Sequence, residues 1–312
     1  MNTTRSTGLR GGRRFTAGAA VAGLAVGLAV TAGVTGVAGC SSGAPPAAPA
    51  APAPPVAPQL RAALQRWSAF PATAAVRPLV LVEELDLNEP AAFPSGADQH
   101  AYDDGAITMP RSWPAGPGQA AGLPLISAAR AAARLTTTAT PTPSPSSPSG
   151  SPGTRLIVTR VELGTAVFST DRGQQALPAW RFSFRGATGT ADVLAVATAS
   201  RFWPAGLRPL PPREDATERG RSTRTLMLTT SGEPAGTGPC QATYTVRQAS
   251  SAHAVALYVV ETPHGGGSGV CAASAAQVTL TVTLPAPLGN RVLVDALTFA
   301  PIPVTQSLVS SS

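Results

Sequence analysis

Three cysteines, three histidines, 16 acidic residues and 23 arginines carry whatever chemistry this 312-residue chain performs, because it contains no lysine at all. That absence removes several enzyme classes at once. A P-loop needs a lysine on the nucleotide phosphates, a protein kinase needs its strand lysine, and a pyridoxal enzyme needs a lysine for its Schiff base. The cysteines are Cys40, Cys240 and Cys271, and the histidines are His100, His253 and His264. With no CxxC and no HExxH spacing among them, a zinc site is disfavoured, and neither a metal nor a cofactor is expected.

The remaining constellations each have a bland reading that the spacing favours. His264-Gly265-Gly266-Gly267 is similar to the oxyanion segment of esterases, but that chemistry requires a later G-x-S-x-G elbow. Gly266-Gly267-Ser268-Gly269-Val270 misses the elbow by one residue and nothing downstream supplies it, so the run reads as a flexible loop. A Ser-His-Asp triad would have to draw on one of the three histidines. His253, after Ser250-Ser251, reads as an exposed turn residue. Glu83, Glu84, Asp86, Glu89, Asp98, Asp103 and Asp104 form an acidic run that would suit Ca²⁺ or paired glycosidase carboxylates. The run lacks the D-x-[DN]-x-[DN]-G spacing, and Asp103-Asp104-Gly105 is commonly a turn, so a solvated loop is expected. Trp67, Trp113, Trp180 and Trp203 are too scattered to define a binding surface. No catalytic residue is assigned.

Net charge is +7, yet Arg5, Arg10, Arg13 and Arg14 precede Cys40 while every acid follows it. Beyond Cys40 the balance is close to even, and nucleic acid is not an expected partner. The densest basic segment, Arg213 to Arg224, mixes in Glu214, Asp215 and Glu218 and reads as a solvated loop. The four N-terminal arginines are followed by an uncharged apolar stretch, Phe15 to Gly39, and then Val37-Ala38-Gly39-Cys40 closes it. This pattern resembles the lipobox of bacterial lipoproteins, with Val37 in place of the commoner leucine. The resemblance implies that residues 1–39 are a signal peptide. It also implies that Cys40 is lipidated and becomes the mature N-terminus, anchored at the extracytoplasmic face of the membrane.

Seven prolines among residues 41–59 make a Pro/Ala-rich stalk, which as polyproline II would extend on the order of 55 to 60 Å. Residues 136–154 are a Thr/Ser/Pro linker with nothing to bury, and 305–312 a short tail. Between them lie a loop-rich segment, 60–135, and a β-rich domain, 155–304. Leu60, Ala63, Leu64 and Trp67 mark one face of a helix after Pro58; Arg77 to Glu83 reads as a buried strand and Leu125 to Leu135 as a helix. Trp180, Phe182 and Phe184 alternate with Arg181, Ser183 and Arg185, and Val278, Leu280, Val282 and Leu284 with Thr279, Thr281 and Thr283, the period of a half-buried strand. Similar runs recur to Ala296. The expected fold is mainly β with a few short helices, its antiparallel sheets forming a sandwich or an open barrel, with a division into two sheet units near 204–221.

Thr170-Asp171-Arg172-Gly173 with Leu177-Pro178-Ala179-Trp180, Gly238-Pro239-Cys240 with Tyr244, Cys271, and Pro285 to Arg291 together resemble secreted lipoproteins of actinobacteria. The resemblance implies an extracytoplasmic β-rich domain and no particular activity. With Cys40 committed to lipid, Cys240 and Cys271 remain in an oxidising compartment, where a disulfide between them is expected. The functional expectation is a membrane-anchored lipoprotein that binds or supports an envelope protein, glycan or lipid without catalysis. Alternatives are a carrier with an apolar pocket between its sheets and a secreted hydrolase.

Overall fold

The computed structural model describes residues 56–82, 86–137, 155–207, 213–218, 224–265 and 275–306, all within one unit of the chain, Pro52–Ser312. The expected signal peptide, Cys40, Cys271 and most of the 136–154 linker lie outside the described residues. The N-terminal part comprises α1 (Val56–Arg66), β1 (Leu87–Asn88), α2 (Gly96–Asp103), β2 (Ile107–Thr108), β3 (Gln119–Ala120), β4 (Leu123–Pro124) and α3 (Ala128–Thr137). Next come β5 (Leu156–Thr170), β6 (Gly173–Phe184), β7 (Ala191–Leu194), β8 (Glu214–Glu218) and β9 (Thr225–Gly232). The remaining described strands are β10 (Gln241–Ser250), β11 (Ala254–His264), β12 (Ala276–Thr283), β13 (Val292–Asp295) and β14 (Val304–Gln306). The protein is mainly β, as its alternating runs predict, and among the described residues no sheet closes into a barrel; the arrangement is sandwich-like.

Two of the sheets stack. One has the order β10-β11-β13 and the other β12-β9-β8-β14. Val255, Leu257 and Leu293 of the first meet Leu226, Leu228 and Val282 of the second in a dry aliphatic layer. Every residue from Ala254 to Tyr258 is buried, because β11 is covered on both faces. On its far side the residues are small, Ala254 and Ala256, and they let α1 approach with Leu60 and Ala63 inward. The helix starts at Val56, ahead of Pro58 rather than after it, since a proline in the first turn forfeits no intrahelical bond. Trp67, fully buried just beyond the helix, donates Nε1 to the Phe299 carbonyl at 2.9 Å. His253, expected to be exposed, instead donates Nδ1 to the Phe70 carbonyl at 2.7 Å and ties the same segment to β11.

The third sheet, β1-β7-β6-β5-β2, has the long β5–β6 hairpin at its centre. Trp180, Phe182 and Phe184 point to one face, where α2 and α3 cover them through Tyr102, Ala131 and Leu135. Trp180 also donates Nε1 to the Ile126 carbonyl at 2.8 Å. Leu177, Phe168 and Leu194 fill the opposite face. The hairpin turns at Asp171-Arg172, and Gly173 follows at φ 78°, a left-handed conformation that favours glycine.

Two stretches expected as solvated loops carry regular structure. The acidic run holds α2, capped by Ser95, whose hydroxyl accepts from the Asp98 amide. The helix ends in a Schellman arrangement at Asp104-Gly105, with Ala106 N–H on the Ala101 carbonyl and Gly105 at φ 64°. Arg213 to Arg224 holds β8, whose only apolar residue is Ala216; pairing with β9 and β14 on either side makes the strand where its own sequence could not. Conversely, the apolar run after Arg77 forms only isolated bridges, Leu79 to Arg201 and Leu81 to Thr170. The last strand, β14, runs two residues into the expected tail.

Candidate ligand groove around Trp203

The loop after β7 is bound to the segment before β1 along both backbones. Leu79 N–H donates to the Ser200 carbonyl and Phe202 N–H to the Leu79 carbonyl, each at 2.9 Å. This fixes Arg201 pointing one way while Phe202 joins an aromatic cluster with Trp67 and Phe70, ring centroids 5.7 and 5.2 Å away. Trp203 stands between two depressions and is held by its own Nε1, which donates to the Leu207 carbonyl at 2.9 Å. On one side, α1 contributes Gln65 and Arg66, and the turn after it Ala69, to an open groove of about 720 Å³ lined also by Phe202, Trp203 and Pro204. On the other, Leu79, Leu81, Asp86, Thr198 and Arg201 shape a smaller cleft of about 270 Å³ that shares the two aromatic residues.

Asp86, from the acidic run, is thus held in ion pairs rather than free in a solvated loop. Its Oδ2 accepts from Arg134 Nη1 at 2.7 Å and from Arg201 Nη1 at 2.9 Å. Both guanidinia also donate to Thr198 Oγ1, at 3.3 and 3.2 Å. Burial lowers the Arg134 pKa, Asp86 pulls it back up, and the neighbouring Arg201 adds to the lowering. Arg201 Nε is shut off from solvent with no hydrogen-bond acceptor.

A second polar feature lies inside the sandwich. Glu214 and Asp295 are 4% and 3% exposed, and burial, with Asp295 next in effect, pushes the Glu214 carboxyl up to about 7. Glu214 Oε2 has no hydrogen-bond partner. Asp295 is engaged by its own turn, accepting from the Leu297 amide at 2.8 Å and the Thr298 hydroxyl at 2.7 Å. Neither acid belongs to the lining of the groove or the cleft.

Other sequence candidates serve the scaffold. The Ser251 hydroxyl accepts from the His253 and Ala254 amides, and the His253 ring faces Phe70, so the two do not form a Ser-His pair. His264 meets the Thr243 hydroxyl at the open end of the β10–β11 hairpin, and Gly266 and Gly267 lie outside the described residues. Nearby, Tyr244 donates to Glu261 Oε1 at 2.7 Å and its phenol is pushed up to about 12 by burial and by Glu261. Cys240 opens this hairpin, one residue before Gln241, which pairs with His264. Among the described residues no three His, Cys, Asp or Glu side chains group to hold a metal ion, and no helix is long and apolar enough to cross a membrane.

Sequence reasoning singled out Trp203 and Asp86 but had no reason to join them. Arg201 carried no motif, because its importance rests on a backbone bridge to Leu79, more than a hundred residues earlier. Comparison with protein-family models, with curated proteins and with solved structures gives no match to this chain.

Proposed function

We propose that this protein is a lipid-anchored extracytoplasmic binding protein, held off the membrane by its Pro/Ala stalk, that engages an envelope component without chemical turnover. The observation that carries the reading is the pair of depressions flanking Trp203. Their walls offer aromatic surface and guanidinium groups rather than a nucleophile with a base beside it. The carrier alternative, framed as a pocket between the sheets, meets a layer already filled by Leu226, Leu228, Val255 and Leu257. The hydrolase alternative has a perturbed carboxyl in Glu214, but that group is sealed in the sandwich instead of facing either depression.

The tether rests on the lipobox pattern at Val37 to Cys40. Cys40→Ala is expected to abolish incorporation of radiolabelled palmitate and to release or misprocess the protein. Unchanged labelling and membrane retention overturn the anchor. A disulfide between Cys240 and Cys271 belongs to the same reading: the 241↔264 register brings the chain after β11 back to the end where Cys240 enters. A non-reduced digest is expected to contain the linked peptides, and closing a loop of about 30 residues would contribute roughly 3 to 4 kcal/mol. For binding, photo-crosslinking residues at the exposed positions Ala69 and Ala205 are expected to capture an envelope component in intact cells, whereas one at Thr281 on the distant sheet face is not. Equal capture at all three, or none at the groove, overturns it.

A further inference from the structure

We propose that the cleft on the Arg201 side of Trp203 takes a small amphipathic organic anion, one singly charged head on an apolar body; this rests on the groove reading above. The cleft is asymmetric in the way such a ligand requires. Leu79, Leu81, Phe202 and Trp203 provide an apolar wall, and the Arg201 guanidinium stands on the polar side. Arg201 is preorganised: its backbone sits in a bridge with Leu79, and Nη1 and Nη2 are fixed by Asp86 and Thr198. Its side chain is 15% exposed, so a charge placed against it acts through less water than at an open surface.

Size and charge narrow the class. About 270 Å³ lies just under the roughly 300–1,000 Å³ of drug-sized ligand sites, which excludes a polymer segment lying wholly within it. Asp86 is part of the same lining and its carboxylate is committed to guanidinia through Oδ2. It repels a second negative charge on the ligand, so a monoanion is favoured over a dianion such as a phosphate monoester. A cationic ligand would meet Arg201 directly.

The test uses two probes that share a ring system, 1-anilinonaphthalene-8-sulfonate and the uncharged N-phenyl-1-naphthylamine. They are titrated by fluorescence against the whole chain carrying Cys40→Ala, so that no acyl group supplies its own apolar site. The anionic probe is expected to bind at least tenfold more tightly than the neutral one. Arg201→Gln is expected to abolish that preference while leaving the neutral probe within about twofold, and Arg201→Lys to restore part of it. Trp203→Ala is expected to weaken both probes. Circular dichroism and thermal melts confirm that each variant folds, and Arg201→Lys serves alone if Arg201→Gln does not. Equal binding of the two probes, or a preference unchanged by either Arg201 variant, overturns the anion assignment and leaves the groove standing. If neither probe binds, or Trp203→Ala changes nothing, the groove reading itself falls, and the anion assignment with it.

Discussion

Asp171, at the tip of the β5–β6 hairpin, and Glu214, at the start of β8, are both almost completely buried, at 2% and 4% exposure, and burial raises the pKa of each. Their surroundings then diverge. Asp171 accepts from both terminal nitrogens of Arg77 and lies 3.8 Å from Arg172 Nε, and both cations offset part of the rise that burial causes. Among the described residues Glu214 has Asp295 and Asp215 as like-charged neighbours, against the exposed Arg213. Burial alone therefore does not decide whether a carboxylate supports a fold; what decides it is whether the guanidinium groups that desolvation demands have been built around it.

The junction around Asp171 also explains why two separated stretches of sequence stand out together. Arg77 Nε donates to the Asn290 carbonyl at 2.9 Å, and Arg172 Nη2 donates to the carbonyls of Gly289 at 2.7 Å and Arg291 at 2.9 Å. The Thr170 to Gly173 turn and the Pro285 to Arg291 segment are two halves of one contact. It joins the aromatic-cored sheet to the stacked pair, and β14 passes alongside with the Val304 amide on the Asp171 carbonyl.

The same chemical change at the two acids sharpens the contrast most. Asp171→Asn leaves the Arg77 and Arg172 guanidinia facing an amide that offers fewer acceptors and its own N–H groups. It is expected to destabilise by about 3 to 5 kcal/mol at pH 8, where the carboxylate is ionised. Urea unfolding with the m-value checked measures it, and a loss below about 1 kcal/mol would show that the junction does not depend on the charge.

Glu214→Gln is expected to act in the opposite direction and only at high pH. The folded-state pKa of Glu214, about 7, lies above its unfolded value of 4.5. Between those values the folded chain binds more protons than the unfolded one, so stability falls as pH rises and the full penalty is present above about 7. The variant carries no such charge. It should match the parent near pH 5 and exceed it at pH 8 by on the order of 3 kcal/mol. Parallel pH dependence in the two proteins would mean that Glu214 titrates normally and would erase the contrast.

Much of the fold was legible because it is written at short range. The two-residue alternation around Trp180, Phe182 and Phe184 places three large rings on one face without reference to anything else, and the Leu60 to Trp67 stripe does the same for α1. β8 was not legible, since Glu214, Asp215, Thr217 and Glu218 read as surface; its strand conformation comes from β9 and β14. The contacts of the junction and the cleft were hidden for a related reason. Arg77, Arg172 and Arg201 act on backbone carbonyls or on carboxylates far away in sequence, and a carbonyl acceptor leaves no trace in residue type.

The smallest expected effect separates the two arginines of the junction. Arg77 holds Asp171 through two nitrogens, whereas the Arg172 charge stands off at 3.8 Å and its hydrogen bonds go to carbonyls. Arg172→Ala therefore leaves the buried carboxylate with its main partner. It removes two hydrogen bonds from a partly exposed guanidinium to carbonyls of a turn, and water can take over part of that role. The expected loss is about 1 to 2 kcal/mol, well below that of Asp171→Asn. Its location is more informative than its size. Amide exchange should accelerate in residues 289–292, where the bonds anchor the turn into β13, while the β5–β6 hairpin keeps its protection because Thr170 Oγ1 still donates to the Gly173 carbonyl at 2.7 Å. Exchange that rises equally in both places would make Arg172 a support of the hairpin itself, and the division of labour between Arg77 and Arg172 would be wrong.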